Sequence, residues 1–195
     1  MMNACARWSI LAVPVLAALG CSDPVPLPAQ GAISLSVQKP ITSVNGSTCP
    51  ESGHVYDVSD GNRPPSESTP GESVIDGEGG AKVSCSVRKS GTSYVFSGSF
   101  SGTTSSAPIY PITVSFRDGV INADKVTGTA NVSVYTPVLA ASFGSTAPCT
   151  FHVIGGNVKG GSIWASFTCG SLANPPAQVC SVGSSVIVFE NCDGS

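Results

Sequence analysis

The sequence holds few charged side chains and only two histidines. Charged residues make up 11% of the chain, with nine basic and twelve acidic side chains, and the basic ones form no cluster. A protein that binds nucleic acid needs a basic patch to neutralise phosphates, so we predict no nucleic-acid partner. His54 and His152 are far apart in the sequence, and no Cys-x-x-Cys pair accompanies them. The sequence therefore predicts neither a metal site nor a cofactor.

Motifs that mark common catalytic sites are also lacking. The nearest approach to a serine hydrolase motif is GSFSG at 98–102, which places Phe100 where the nucleophile belongs. The glycine-rich segment 155–163 contains Lys159 but not the Gly-Lys-Ser/Thr order of a phosphate loop. Glu190 follows an apolar strand, where a strand-end carboxylate facing solvent is the favoured interpretation. We therefore predict that the protein is not an enzyme.

No apolar run is long enough to form a transmembrane helix. The longest, Ile10 to Gly20, has about a dozen residues, whereas a helix that spans a bilayer needs roughly 20. It follows a single basic residue, Arg7, and ends in small side chains, which is the order found in secretory signal peptides. Residues 1–20 are thus predicted to be a signal peptide.

The end of this signal, ALGC at 18–21, resembles the lipobox of bacterial prolipoproteins. The resemblance implies that Cys21 becomes the first residue and that its thiol takes a diacylglycerol with fatty acyl chains such as palmitate. It implies an exported lipoprotein anchored in a membrane, and Ser22 favours the outer membrane over the inner one. Ala18 stands where leucine is more usual, and an ordinary secretory signal with a coincidental cysteine is the alternative.

The segment behind the lipobox predicts an extended tether. Pro24, Pro26 and Pro28 alternate with other residues, which prevents a helix and favours polyproline-like conformations. Residues 21–31 are therefore predicted to connect the lipid to a single domain at 32–195, which is long enough to build one hydrophobic core.

The cysteines of that domain predict a disulfide framework. They number six, and an even set in an exported chain is typical of three disulfides. The stretch between Cys149 and Cys169 has its glycine-rich centre near Lys159, ten residues from either cysteine. Symmetric strand pairing would therefore place these two cysteines opposite each other. The favoured set is Cys149–Cys169, Cys180–Cys192 and Cys49–Cys85, and the rival set contains Cys169–Cys180 and Cys149–Cys192.

Alternation of apolar and polar residues dominates the domain. In AISLSVQK, for example, Ile33, Leu35 and Val37 share one face. Residues 186–189 are consecutively apolar, which indicates a strand buried on both faces. No window of a dozen residues shows helical spacing with caps. We predict an all-β fold, namely an antiparallel β-sandwich or barrel of about 8–10 strands stabilised by disulfides.

One long segment, 59–80, breaks the strand pattern. It contains three prolines and several acidic residues, and its length and composition predict a mobile loop. The stretches 57–62 and 76–80 place carboxylates among glycines, but neither has the spacing with which a single loop wraps calcium.

Aromatic side chains are the candidate ligand contacts. Trp164 is out of phase with the apolar face of its strand, so it either faces solvent as a ligand platform or lies under a neighbouring loop. Tyr94 and Tyr135 are the other candidates. We expect a non-enzymatic envelope lipoprotein with a structural or binding role, with an envelope protein or a polysaccharide as its partner. The alternative is a carbohydrate-binding or hydrolytic β-sandwich at the cell surface.

The body of the chain also resembles small lipoproteins of myxobacteria, in the stretches VSVYTP, IWASFTC and FENC. This resemblance supports export and anchoring and implies no particular activity.

Overall fold

A computed structural model of the 195-residue chain describes residues 25–40, 49–50, 53–105, 107–122, 126–174 and 178–193. The predicted signal peptide and Cys21 lie outside the described residues. Within them the fold is nearly all β, with two short 3-10 helices (Asp60–Asn62 and Glu78–Gly80) and no α-helix, which confirms the all-β prediction. No helix in this part of the chain has the length and apolar character needed to cross a bilayer.

Eleven strands form one antiparallel sheet in the described residues. They are β1 (Gln30–Gln38), β2 (His54–Val58), β3 (Val74–Ile75), β4 (Lys82–Ser90), β5 (Ser93–Thr103), β6 (Pro111–Asn122), β7 (Thr127–Tyr135), β8 (Ser142–Ser145), β9 (Cys149–Lys159), β10 (Ser162–Asn174) and β11 (Gln178–Glu190). The order across the sheet is β2-β1-β11-β10-β8-β7-β6-β5-β4, while β9 pairs with β10 and β7, and β3 pairs with β1. Strands β3 and β8 are too short for sequence alternation to reveal them, since they have two and four residues.

The sheet curls into a barrel, and each end of the strand order is hydrogen-bonded to a distant part of the chain. The chain just after β11 runs beside β4, where the Val87 amide donates to the Asp193 carbonyl oxygen and the Asp193 amide donates to the Cys85 carbonyl oxygen, both at 3.0 Å. At the other end, the Ser105 amide donates to the Asp57 carbonyl oxygen at 2.8 Å, which joins the chain after β5 to β2. The result is a β-barrel core with outer strands, one of the two architectures predicted.

Phenylalanine side chains fill the barrel interior. The ring of Phe116 has its centroid 5.4–5.9 Å from those of three other phenylalanines. Two of these three, Phe151 and Phe167, stack on each other at 5.1 Å. Edge-to-face and offset-stacked pairs are the favoured arrangements of aromatic rings, so the cluster adds to the burial of apolar area. The rings in mutual contact are Phe96, Phe116, Phe151, Phe167 and Phe189, and Phe100 and Phe143 are buried as well.

The outer face of β10 and β11 is buried as well, because the chain at 59–73 packs across it. Val186 and Val188 point away from the barrel yet are only 5% and 2% exposed, while Ile187 and Phe189 point inward. The prediction of a strand buried on both faces is confirmed, and the covering layer is a loop rather than a second sheet.

That loop is closed at its base. The Asp60 amide donates to the Glu72 carbonyl oxygen at 2.8 Å, and the Arg63 side chain forms an ion pair with the Glu72 carboxylate. The mobility expected for 59–80 is a statement about motion and stays a prediction. The loop nevertheless has a defined position on the barrel, because its ends are hydrogen-bonded to each other and β3 pairs with β1.

Three disulfides are formed, and one of them is the hairpin pair predicted from the sequence. Thr150 pairs with Thr168, so Cys149 and Cys169 lie opposite each other on β9 and β10. The Cys180–Cys192 pairing is wrong because these residues lie near opposite ends of β11, and about a dozen residues of extended chain separate them by roughly 40 Å. The three bonds that do form also exclude the other predicted pairings, namely Cys49–Cys85 and the rival Cys169–Cys180 and Cys149–Cys192. The observed bonds are Cys49–Cys180, Cys85–Cys192 and Cys149–Cys169.

The glycine at position 128 is required by a close approach between β6 and β7. A Cβ there would overlap the Val120 carbonyl oxygen and the Ile121 side chain. We expect Gly128→Ala to lower the free energy of unfolding by about 1–3 kcal/mol through overpacking. Gly144→Ala on β8 is the matched control, because nothing lies within 4 Å of the added Cβ. Urea unfolding should show the control unchanged or slightly more stable, and equal losses in both variants would contradict the expectation.

Candidate functional site

A row of polar side chains crosses four strands at one end of the barrel. Ser162 at the start of β10 pairs with Lys159 at the end of β9, and Gln30 of β1 pairs with Glu190 of β11. Since Ile163 pairs with the residue before Glu190, Ser162 and Glu190 are neighbours across β10 and β11. Side chains on directly opposed residues share a face of the sheet, which here is the outer face. We call Lys159, Ser162, Glu190 and Gln30 the polar row.

An apolar row lies beside the polar row on the same face. Trp164 pairs with Val188, which in turn pairs with Ala32. The indole is half-buried, and its Nε1 donates to the Ser66 carbonyl oxygen at 3.2 Å. Of the two positions predicted for Trp164, the structure therefore shows the one under a neighbouring loop, here the loop 59–73.

An open cleft of about 310 Å³ separates this loop from the polar row. Its volume is at the lower end of the range for small-molecule sites. Both apolar and hydrogen-bonding side chains reach it, which is the usual chemistry of a ligand site. We call it the Trp164 cleft, and its lining includes Trp164, Val188, Asn157, Lys159, Ser162, Glu190 and Pro70.

A second, wider groove of about 730 Å³ adjoins the Trp164 cleft. The two share three members of the polar row, Lys159, Ser162 and Glu190. The wider groove also reaches Pro26 and Leu27 in the segment that precedes β1. The predicted tether therefore enters the barrel beside the candidate site.

A bulge in β9 forms one wall of the Trp164 cleft. Four residues of β9, 154–157, stand opposite Trp164 alone on β10. Two of them are glycines with φ of 58° and 70°, a backbone conformation that costs glycine little. The Asn157 side-chain amide donates to the Ile154 carbonyl oxygen at 2.9 Å, which fixes its orientation at the wall.

The two charges at the cleft form no ion pair with each other or with any other described residue. Arg63 and Glu72 form the one ion pair among the described residues, so the Lys159 ammonium and the Glu190 carboxylate have no ion-pair partner there. Both side chains are exposed at the mouth of the cleft. They are therefore accessible to the polar groups of a ligand.

The other aromatic candidates are not brought to this cleft. Tyr94 lies on β5 opposite Ile121 and packs partly against the core. Tyr135 ends β7 and is 41% exposed. No ring contact among the described residues joins either tyrosine to Trp164, so the three do not form one binding surface.

The two histidines lie in different environments. His152 points outward from β9 and is exposed. His54 is in phase with the buried Tyr56 on β2. Its ring lies 4.6 Å from that of Tyr56 and 5.7 Å from that of Tyr110.

The acidic loop stretches have structural contacts instead of a shared cation site. Asp60 Oδ1 accepts the Gly61 amide at 2.9 Å, and Asp76 Oδ1 accepts the Val83 amide at 2.8 Å. No group of three or more histidine, cysteine or acidic side chains in the described part of the chain is arranged to hold a metal ion.

Sequence reasoning selected Trp164 but missed its partners in the cleft. In the sequence, Lys159 marks the centre of a predicted hairpin and lacks the context of a phosphate loop, and Glu190 is interpreted as a strand-end charge. Lys159 and Ser162 flank a glycine turn, a local signal from which their proximity follows. Glu190 joins them through the register of β11, which no local pattern reveals. Comparison with protein-family models, with curated proteins and with solved structures found no match, so the candidate site is defined by its geometry alone.

Proposed function

We propose that this protein is a non-enzymatic, lipid-anchored envelope lipoprotein that binds a ligand at the Trp164 cleft. The observation that carries the proposal is the set of three disulfides, since such bonds form and persist in oxidising, extracytoplasmic compartments. The ALGC sequence and the small residues before it supply the anchor, and Ser22 favours the outer membrane.

The position of the tether supports an arrangement of the barrel relative to the membrane. The extended segment 25–29 leads into β1 at Gln30, in the polar row. With lipid on Cys21, the tether would hold this end of the barrel within roughly 30 Å of the bilayer. The opposite end, where Tyr56 and Tyr110 pack together, would then face away from that membrane.

The residues of the Trp164 cleft favour binding over catalysis. Covalent catalysis requires an activated nucleophile, usually hydrogen-bonded to a base, and among the described residues the Ser162 hydroxyl has no hydrogen bond to its neighbours Lys159 and Glu190. Glycoside hydrolysis in most families requires two carboxyl groups, whereas Glu190 is the single carboxylate among the described residues that line this cleft. A partner in the envelope, either a protein or a polysaccharide, would accordingly be held and released unchanged.

Intact mass spectrometry of the native protein extracted with detergent tests the anchor and the disulfides together. We expect a chain that starts at Cys21, carries the mass of the acyl chains and gains six hydrogens on reduction, since three disulfides are formed.

The anchor has a matched control inside the signal peptide. Cys21→Ser should abolish the lipid and release the protein from the membrane fraction, whereas Cys5→Ser should leave both unchanged. An unlipidated native chain cut elsewhere would refute the anchor.

A further inference from the structure

We propose that the Trp164 cleft binds a neutral pyranose unit of an oligosaccharide or polysaccharide. This inference rests on the proposed binding function and names its ligand class. The sugar ring would lie against the part of the Trp164 indole that the loop 59–73 leaves open to the cleft, and its hydroxyl groups would bond to the polar row.

The hydrogen-bonding groups of the cleft fit a ligand rich in hydroxyls. The Lys159 ammonium only donates, the Glu190 carboxylate only accepts, and the Ser162 hydroxyl does both. A hydroxyl group donates and accepts at once, so adjacent hydroxyls on one ring can satisfy all three side chains. A ligand with donors alone or acceptors alone would leave one of the two charged groups unsatisfied.

The charges in and around the cleft favour a neutral ligand. Lys159 and Glu190 carry opposite charges in one cross-strand row, so together they add no net charge to the mouth. Asp193 lines the adjoining groove and disfavours an anionic ligand there. A neutral polyol experiences no net electrostatic attraction or repulsion, so its binding depends on whether its hydroxyl groups match the hydrogen-bonding side chains of the cleft.

The apolar element of the site is held in place before a ligand arrives. The bond from Trp164 Nε1 to the Ser66 carbonyl oxygen fixes the indole, and Val188 packs beside it in the apolar row. The side chain of Asn157 is fixed at the bulge by its bond to the Ile154 carbonyl oxygen. Groups that are ordered in the free protein lose little conformational entropy on binding, which favours affinity for a small ligand.

The test is isothermal titration calorimetry of the detergent-solubilised native chain with four neutral trisaccharides. The probes are cellotriose, maltotriose, mannotriose and tri-N-acetylchitotriose. We expect at least one to bind and to change the fluorescence of Trp164, which is the sole tryptophan once residues 1–20 are removed. Glu190→Gln should weaken that binding by about tenfold or more, because a charge-assisted acceptor is lost.

Matched variants separate a role in the site from a general change in charge. Lys159→Met and Trp164→Phe should also weaken binding, whereas Glu78→Gln and Lys82→Met, at exposed positions outside the cleft lining, should leave it unchanged. Thermal unfolding of every variant shows that the comparison is made between folded proteins. Glu190→Gln preserves the size of an exposed side chain and so keeps the test independent of folding.

Two results would overturn the inference. The first is that none of the four trisaccharides binds, and the second is that one binds with equal affinity to wild type, Glu190→Gln and Trp164→Phe. The lipid mass is measured independently of sugar binding. A lipidated chain that binds no sugar would therefore refute the ligand class while leaving the anchor, and an unlipidated chain that binds sugar would do the reverse.

Discussion

Removing the Cys85–Cys192 disulfide by the double substitution Cys85→Ala and Cys192→Ala is expected to lower the free energy of unfolding by about 5 kcal/mol. The two cysteines are 107 residues apart, so their bond removes much conformational entropy from the unfolded chain. The bond also joins β4 to the chain just after β11, where the barrel closes. Because whole domains are stable by only about 5–15 kcal/mol, this loss should leave a substantial unfolded population near physiological temperature.

The hairpin disulfide provides the comparison. Cys149 and Cys169 are separated by 20 residues and lie on paired strands, so removal of their bond should cost about 3 kcal/mol. Urea unfolding of the two double variants under one set of conditions measures the difference. An equal or larger loss in the hairpin variant would show that closure of the barrel does not depend on the Cys85–Cys192 bond.

Phe116→Ala is expected to lower the free energy of unfolding by about 3–5 kcal/mol, the range for removal of a large buried aromatic side chain. The Phe116 ring is fully enclosed and contacts Phe151, Phe167 and Phe189, which lie on three different strands. Alanine would leave a cavity that these rings cannot fill without leaving their own positions.

Two further substitutions distinguish loss of packing from a general effect on the sheet. Phe116→Leu retains most of the buried volume and should cost clearly less than alanine. Val95→Ala on the neighbouring strand removes a side chain that is 39% exposed and should change stability by less than about 1 kcal/mol. A small effect of Phe116→Ala, comparable to that of Val95→Ala, would mean that the phenylalanine cluster is not the core of the barrel.

Features that depend on neighbouring residues can be predicted from this sequence, whereas features that depend on residues far apart in the chain cannot. Strand phase is local, and so the alternation in 32–38 and the double burial at 186–189 were both predicted correctly. The Cys149–Cys169 bond was also predicted, although β9 and β10 use different numbers of residues between the turn and the bond. Nine steps along β9 from Lys159 to Thr150 match six steps along β10 from Ser162 to Thr168. The bulge at 154–157 accounts for the three extra residues on β9. A symmetric hairpin centred on Lys159 therefore predicted the right cysteine pair, although the turn itself follows Lys159.

The sequence by itself determined the longer strands, their inward faces, the hairpin disulfide and the position of Trp164 out of phase with the core. Only the tertiary structure decided the two long-range disulfides, the closure of the barrel and the partners of that tryptophan. Ser66 reaches the indole from 98 residues away, and Glu190 joins Lys159 through the pairing of β10 with β11. The physical reason is that alternation fixes which face a side chain occupies, whereas strand order and register fix its neighbours. Order and register depend on how the whole sheet closes around its core, which no short stretch of sequence encodes.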